Sequence, residues 1–183
     1  MTCIAGLIDN GKIYMGADSA GVNSSLSLSV RADQKVFVKD EFIMGFTTSF
    51  RMGQLLQYKL QVSPRPERID VFEYMVTSFV ESVRKCLKDG GFAEKKDDKE
   101  TAGTFLVGYA GRLFCVNSDY QVEETLLPYA ATGCGEDIAL GALFANGHLK
   151  PEERILQALE AAEQFSAGVR RPFVIKQLGD NYA

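Results

Sequence analysis

The sequence predicts an α+β fold built in layers, in which blocks of β-strands alternate with blocks of helices. Three observations lead to this prediction. An Asn-Gly turn separates two apolar strands at the start, residues 66–88 carry apolar side chains at three- and four-residue steps, and strands followed by helices recur in the second half. Separate strand and helix blocks are typical of layered α+β folds rather than of βαβ repeats. Because the chain has 183 residues and no internal repeat or linker, we expect one domain over residues 1–183.

The first block consists of strands. Residues 2–9 and 12–18 flank the turn sequence DNGK, which predicts a tight antiparallel hairpin. In residues 21–33, Ser alternates with Leu or Val, which indicates a short polar hairpin arm. Residues 35–38 form the next predicted strand, and the segment EFIMGF forms another strand that ends at Gly45.

Helical periodicity follows from Phe50 to about Val62. The clearest helix covers residues 66–88 and starts at Pro66, because proline suits the first turn of a helix. We expect the charged, Gly-rich segment after it to be a solvated loop. Two or three antiparallel strands with glycine turns come next. Helices at 135–146 and 151–166 and a final strand complete the predicted order.

Composition argues against several classes of function. The formal net charge is −4, so nucleic-acid binding has no electrostatic support. No apolar run is long enough to span a bilayer and the N-terminus lacks a signal-peptide pattern, so we expect a cytoplasmic protein without membrane contact. The four cysteines are scattered without a Cys-x-x-Cys pair, which argues against metal binding, and no cofactor is expected. His148 is interpreted as a solvated residue of a helix–helix loop.

A candidate catalytic group consists of Thr2, Asp18, Lys35 and Gly45. Removal of Met1 would leave Thr2 with a hydroxyl and a free α-amine, which form a nucleophile and its general base. Such an amine titrates near roughly 7.7–8.0, so a useful fraction is neutral at physiological pH. The Lys35 ammonium would lower the pKa of the hydroxyl, and Asp18, brought beside Thr2 by the hairpin, would hold the lysine. Gly45 could offer a backbone N–H to an oxyanion.

The sequence resembles the proteasome β-subunit and HslV branch of the N-terminal-nucleophile (Ntn) hydrolases over nearly its whole length. The opening TCIAGLIDNGKIYMGADS matches the first strand pair of that family, and GCGEDIALGAL resembles its glycine turn into a helix. The segments KVFV and IMGF resemble the strands that carry the catalytic lysine and the oxyanion donor. The resemblance implies a four-layer αββα sandwich with Thr2 as nucleophile, Asp18 as acidic partner, Lys35 as catalytic lysine and Gly45 as oxyanion donor.

The family also uses three side chains that tune the terminal amine, and the resemblance places them at Cys134, Glu163 and Ser166. This chain departs from the family twice, with Cys134 where Ser is usual and Glu163 where Asp is usual. A thiol is a weaker hydrogen-bonding group than a hydroxyl, so the departures bear on activity or geometry. Cys134 as an independent nucleophile is a weaker alternative, because no histidine is placed to activate it. Cys3 is expected on the opposite face of its strand, in the core.

By the same resemblance, Asp33, Ile43 and Thr47 would line the substrate pocket, and Asp33 would favour a basic or polar side chain. Related proteins form rings, which implies a homo-oligomeric ring with contacts through helices 66–88 and 135–146, a peptide substrate and a possible ATPase unfoldase partner. Three functions stay open: a threonine peptidase acting through an acyl-enzyme, a small-molecule amidase with the same site, and a catalytically silent ring subunit. Retained Met1 would favour the last, because the nitrogen of Thr2 would then be an amide.

Overall fold

The structure is a computed structural model that describes residues 1–179. Its strands, in chain order, are β1 (Cys3–Asp9), β2 (Lys12–Ala17), β3 (Ala20–Val22), β4 (Leu28–Val30), β5 (Val36–Lys39), β6 (Phe42–Phe46), β7 (Glu94–Lys96), β8 (Lys99–Thr101), β9 (Phe105–Tyr109), β10 (Arg112–Val116), β11 (Val122–Glu124), β12 (Tyr129–Gly133) and β13 (Val174–Leu178). Its α-helices are α1 (Phe50–Tyr58), α2 (Val71–Tyr74), α3 (Val80–Asp89), α4 (Glu136–Ala145) and α5 (Pro151–Phe165), and a π-helical turn, Met75–Phe79, joins α2 to α3.

Two antiparallel sheets form the middle of the fold. One has the strand order β12-β1-β2-β13 and the other has the order β11-β10-β9-β6-β5. Between them lies a buried apolar layer that consists of Ile4, Ile13, Met15, Ala17, Val36, Ile43, Leu106 and Leu113. Two small hairpins, β3-β4 and β7-β8, stand apart from these sheets.

Helices cover the outer face of each sheet. Because side chains alternate across a strand, Cys3, Ala5 and Leu7 of β1 point away from the other sheet and pack against buried side chains of α4 and α5. On the other side, α1, α3 and the π-helical turn pack against apolar side chains of β6 and β9. The order helix, sheet, sheet, helix is the predicted αββα sandwich. The expected burial of Cys3 is confirmed, since none of it is exposed.

Most predicted elements are present, and two differ in their extent. The opening hairpin turns through Asn10 and Gly11, both with positive φ, which the primed turns of tight hairpins require. The long helix does not start at Pro66: the Asp70 carboxylate caps the first turn by accepting a hydrogen bond from the N–H of Phe72 at 2.7 Å. The segment predicted to be a solvated loop contains the exposed hairpin β7-β8. Within residues 1–179, no helix combines the length and apolar character needed to cross a membrane.

Glycine at position 45 sets how closely the two sheets approach. A Cβ atom built on Gly45 would lie 2.5 Å from Cγ2 of Ile4 and 2.8 Å from Sδ of Met15. By contrast, a Cβ atom on Gly141, on the exposed side of α4, would meet nothing within 4 Å. The same substitution should therefore have opposite effects at the two positions.

We predict that Gly45→Ala lowers the free energy of unfolding by about 1–3 kcal/mol, because the added methyl group overpacks the layer between the sheets. The matched control, Gly141→Ala, should raise it by roughly 0.5–1 kcal/mol, because alanine is the better helix former. Urea denaturation of both variants measures the two values. Equal effects of the two substitutions would contradict this account of the sheet packing.

Candidate active site

The structure brings Thr2, Asp18 and Lys35 together between the two sheets. Thr2 directly precedes β1, Asp18 directly follows β2, and the antiparallel pairing of Ile4 with Ala17 places those strand ends side by side. Lys35 precedes β5 in the other sheet and reaches across to them. Its Nζ atom lies 2.9 Å from Oγ1 of Thr2 and 2.8 Å from Oδ1 of Asp18. Three residues distant in sequence thus form one hydrogen-bonded chain.

The Asp18 carboxylate is buried and its hydrogen-bonding capacity is satisfied. Asp18 and Lys35 are each 1% exposed. Besides Lys35, backbone N–H groups donate to Asp18 from Cys3 at 3.0 Å, from Ala20 at 2.8 Å and from Arg170 at 3.2 Å. A buried ion pair is tolerated only when such extra hydrogen bonds satisfy the remaining lone pairs. Asp18 is therefore a fixed anchor for the lysine.

Burial lowers the pKa of Lys35 below the 10.5 of an exposed lysine, and the charge and hydrogen bond of Asp18 offset only part of this effect. The lysine therefore releases its proton more easily than an exposed lysine does. The ammonium group of Lys35 donates to the Thr2 hydroxyl oxygen. It would therefore stabilise negative charge that develops on this oxygen. This arrangement suits a threonine oxygen that loses a proton during a reaction.

A second group of side chains surrounds the nitrogen of Thr2. This nitrogen lies 3.2 Å from Sγ of Cys134, and the hydroxyl of Ser166 donates to the same sulfur at 3.3 Å. Gly133 has a φ of 103°, and a Cβ atom there would lie 2.3 Å from the carbonyl oxygen of Thr2. Only glycine fits this turn, so Gly133 sets the position of Cys134 beside the nitrogen.

Glu163 does not join this group. Its carboxylate accepts hydrogen bonds from the backbone N–H and the Nε of Arg171, both at 2.8 Å. Partial burial raises the pKa of Glu163, but these hydrogen bonds outweigh it and lower the pKa. The predicted role in tuning the amine directly is wrong in this geometry, because the longer side chain is held by Arg171. Glu163 instead fixes the segment that follows α5.

Gly45 is also misplaced for the role of oxyanion donor. The N–H groups of Phe46 and Thr47 bond to carbonyls of opposite neighbouring strands, at Lys35 and Thr104. Because N–H groups alternate sides along an antiparallel strand, the N–H of Gly45 faces Leu106 within the sheet. The prediction is wrong, because this N–H already takes part in the hydrogen bonding of the sheet.

The turn that follows β6 lies beside Thr2 instead. Residues 47–50 of this turn and Thr2 line one cavity of about 260 Å³. Ser49 is the N-cap of α1, and its side chain accepts a hydrogen bond from the N–H of Arg51. The sequence-based predictions do not include this turn, although Ser49 directly before the helical pattern is an N-cap signal.

The three predicted pocket residues have different positions. Thr47 lines the cavity, whereas Ile43 is fully buried between the sheets, so its predicted contact with substrate is wrong. Asp33 is not among the lining residues. Its carboxylate pairs with Arg31, which does line the cavity, through two hydrogen bonds of 2.8 Å. The cation of this pair, rather than the predicted anion, faces the cavity.

Met1 occupies one end of the same cavity. Its carbonyl oxygen accepts a hydrogen bond from the hydroxyl of Thr2, and its side chain lies against Gly168, where a Cβ atom would be 2.3 Å from that of Met1. His148 is exposed between α4 and α5, as predicted. Among the described residues, 1–179, no group of three or more His, Cys, Asp or Glu side chains could hold a metal ion.

Comparison with solved structures identifies the fold. The chain is similar to BPH from Thiobacillus denitrificans, solved in complex with epoxomicin, with a TM-score of 0.78 and 20% identity over 97% of this chain and 100% of that one. It is similar to HslV from Trypanosoma brucei, with a TM-score of 0.69 and 14% identity over 96% of this chain and 98% of that one. Anbu from Yersinia bercovieri gives a TM-score of 0.66 and 14% identity over 97% of this chain and 81% of that one.

These three proteins are all proteasome-like Ntn hydrolases. The predicted resemblance is thus confirmed at the level of the fold, because each similarity spans nearly all of this chain. No protein-family model matches the sequence, and no curated protein matches it.

The lowered pKa of Lys35 predicts how stability depends on pH. Between this pKa and 10.5, the folded chain binds fewer protons at Lys35 than the unfolded chain, so the Lys35 contribution to the free energy of unfolding rises with pH. Urea denaturation at several alkaline pH values measures the slope.

The double variant Asp18→Asn/Lys35→Met removes both charges and so leaves no unpaired buried charge. In this variant, the rise of the free energy of unfolding with pH that Lys35 causes should be absent. Lys59→Met, at an exposed position, is the control and should keep it. An unchanged slope in the double variant would show that Lys35 is not the responsible group.

Proposed function

We propose that the chain is a threonine-type peptidase that acts after removal of Met1. The observation that carries this proposal is the contact between the Thr2 hydroxyl and the buried Lys35–Asp18 pair. The Thr2 Oγ would attack the scissile carbonyl carbon, and the freed α-amine would take its proton directly or through a water molecule. The Lys35 ammonium would stabilise the developing alkoxide. Water would then release the acyl group from Thr2.

The oxyanion of the tetrahedral intermediate needs a donor other than Gly45. We assign this role to the backbone N–H groups of Thr48 and Phe50, in the turn that shares the cavity with Thr2. The N–H groups of Thr47 and Ser49 already donate to the carbonyls of Thr104 and Thr47. The turn leads into α1, so the positive end of the helix dipole also lies on this side of the site.

The remaining features of the proposal rest on the family resemblance and composition of the sequence. We propose a single domain over residues 1–183, a homo-oligomeric ring, a peptide substrate and a cytoplasmic location, with an ATPase unfoldase as a further partner. Exposed apolar side chains support contacts through the two predicted helices: Phe72 is 39% exposed, Val76 is 37% exposed and Phe144 is 78% exposed. Because a similarly folded BPH binds epoxomicin, this compound is a suitable probe of the cavity beside Thr2.

A catalytically silent subunit is the second candidate. Retention of Met1 would favour it, because the Met1 carbonyl would engage the Thr2 hydroxyl and the Met1–Thr2 peptide bond would remove the base. A small residue at position 2 permits removal of the initiator methionine, so the chemical state of the terminus separates the two functions. A small-molecule amidase would use the same residues and is distinguished by its substrate.

We predict that the purified protein lacks Met1 and cleaves fluorogenic peptides. Thr2→Ala should lower kcat/KM by at least about 1,000-fold, since it removes the nucleophile and leaves the amine. Thr2→Ser, which keeps a hydroxyl, should retain measurable activity. Intact mass and peptide hydrolysis test both statements. Undiminished cleavage by Thr2→Ala, or full retention of Met1 in active protein, would refute the assignment.

The pairing of Arg31 with Asp33 predicts a change in substrate preference. In Asp33→Asn, the guanidinium group loses its carboxylate partner while it still lines the cavity. The ratio of kcat/KM for peptides with an acidic residue before the scissile bond to that for neutral peptides should rise by about 3- to 5-fold, as expected for an interaction worth up to ~1 kcal/mol. Asp89→Asn, far along the chain and paired with Lys85, is the control. A gain for basic peptides would contradict this reading of the pocket.

A further inference from the structure

Cys134 contacts the nitrogen that the proposed reaction uses as its base. The 3.2 Å between its sulfur and the Thr2 nitrogen falls within the roughly 3–3.5 Å that separates reacting atoms in near-attack geometry. Cys134 is exposed, whereas Cys3 is buried. Burial, followed by the charge of Asp18, raises the pKa of Cys3 to about 12. Cys134 is therefore the thiol at this site that an oxidant in solution can reach.

Neighbouring groups hold the sulfur against this nitrogen. The turn at Gly133 places Cys134 next to Thr2, because no side chain fits between Gly133 and the Thr2 carbonyl. On the other side, a Cβ atom on Gly168 would lie 2.8 Å from the Cys134 sulfur, so the segment after α5 packs on it. The Ser166 hydroxyl donates to the same sulfur. The backbone segments on both sides thus keep the Cys134 sulfur beside the Thr2 nitrogen.

We infer that Cys134 is an oxidative modification site whose sulfur forms a reversible bond with the α-amine of Thr2. This inference rests on the proposed function, because the amine exists only after Met1 is removed. Hydrogen peroxide is the oxidant: the thiolate attacks one oxygen, the O–O bond breaks, and a sulfenic acid and hydroxide result. The amine then attacks the sulfur, the S–O bond breaks, and water leaves with a proton from the nitrogen. The product is a sulfenamide.

The S–N bond stops the proposed reaction, because the nitrogen in this bond no longer serves as the base for the Thr2 hydroxyl. It also protects the sulfur from irreversible oxidation to sulfinic acid. A dithiol reverses it by supplying two electrons and two protons, which restores the thiol and the amine and leaves the reductant as a disulfide. A serine at position 134 would lack this chemistry. The cysteine thus gives the site a redox switch.

The test uses the Met1-free protein with Cys3→Ala, which removes the one other thiol at this site. After treatment with hydrogen peroxide, the intact mass should fall by about 2 Da, the two hydrogens lost in forming the S–N bond. Peptide mapping should link the N-terminal peptide to the Cys134 peptide, and hydrolysis should be lost and then restored by dithiothreitol. Cys134→Ser should form no link, and Cys86→Ala should form it as the parent does.

Two results would overturn the inference: oxygen addition at Cys134 without a link, or a link that requires Cys3. Thr2→Ala separates this inference from the proposed function, because it keeps an α-amine but lacks the hydroxyl. It should form the link while remaining inactive. If the parent protein forms the link but hydrolyses no peptide, the proposed function fails and the modification stands. If it hydrolyses peptides and forms no link, the modification fails and the function stands.

Discussion

The buried ion pair between Lys35 and Asp18 is the interaction on which the site depends. It joins the end of one sheet to the start of a strand in the other, and it directs the lysine at the hydroxyl of Thr2. Such a pair costs desolvation energy on both sides, and three backbone N–H groups around Asp18 compensate part of it. If this position had only to fill the core, well-packed apolar residues could replace the ion pair without loss of stability. Its presence here therefore favours a chemical role.

The two sides of Thr2 have separate environments. Its oxygen faces the buried ion pair between the sheets, and its nitrogen faces Cys134 and Ser166 at a more exposed edge. This separation suits a residue whose hydroxyl must lose a proton while its amine exchanges protons with water. A change at Cys134 therefore acts directly on the base, since the Cys134 sulfur contacts the Thr2 nitrogen. The cysteine at position 134, where the sequence resemblance implies serine, thus lies on the nitrogen side of Thr2.

The sequence predicted those features that depend on local pattern. The Asn10-Gly11 turn fixes the register of β1 on β2 and so places Asp18 beside Thr2, and the alternation along β1 separates Cys3 from Ile4. The pocket and the oxyanion donor were harder to predict, because they depend on which strand each N–H faces and on pairing partners distant in sequence. The pattern predicts an unpaired strand end at Gly45, whereas its N–H faces Leu106 within the sheet. The resemblance implies that Asp33 presents its charge to a substrate, whereas Arg31 pairs with its carboxylate.

Mapping of the acyl-enzyme tests the central claim, that the Thr2 oxygen is the nucleophile, most directly. Met1-free protein is mixed with a slowly hydrolysed activated peptide ester, quenched in acid and digested, and the peptide that carries the acyl group is identified by mass. The account predicts one acyl group on the hydroxyl of Thr2, and none in the Asp18→Asn/Lys35→Met variant when its folding is confirmed. An acyl group on Cys134 would contradict the assignment of the nucleophile, and no acyl group anywhere would favour the silent subunit.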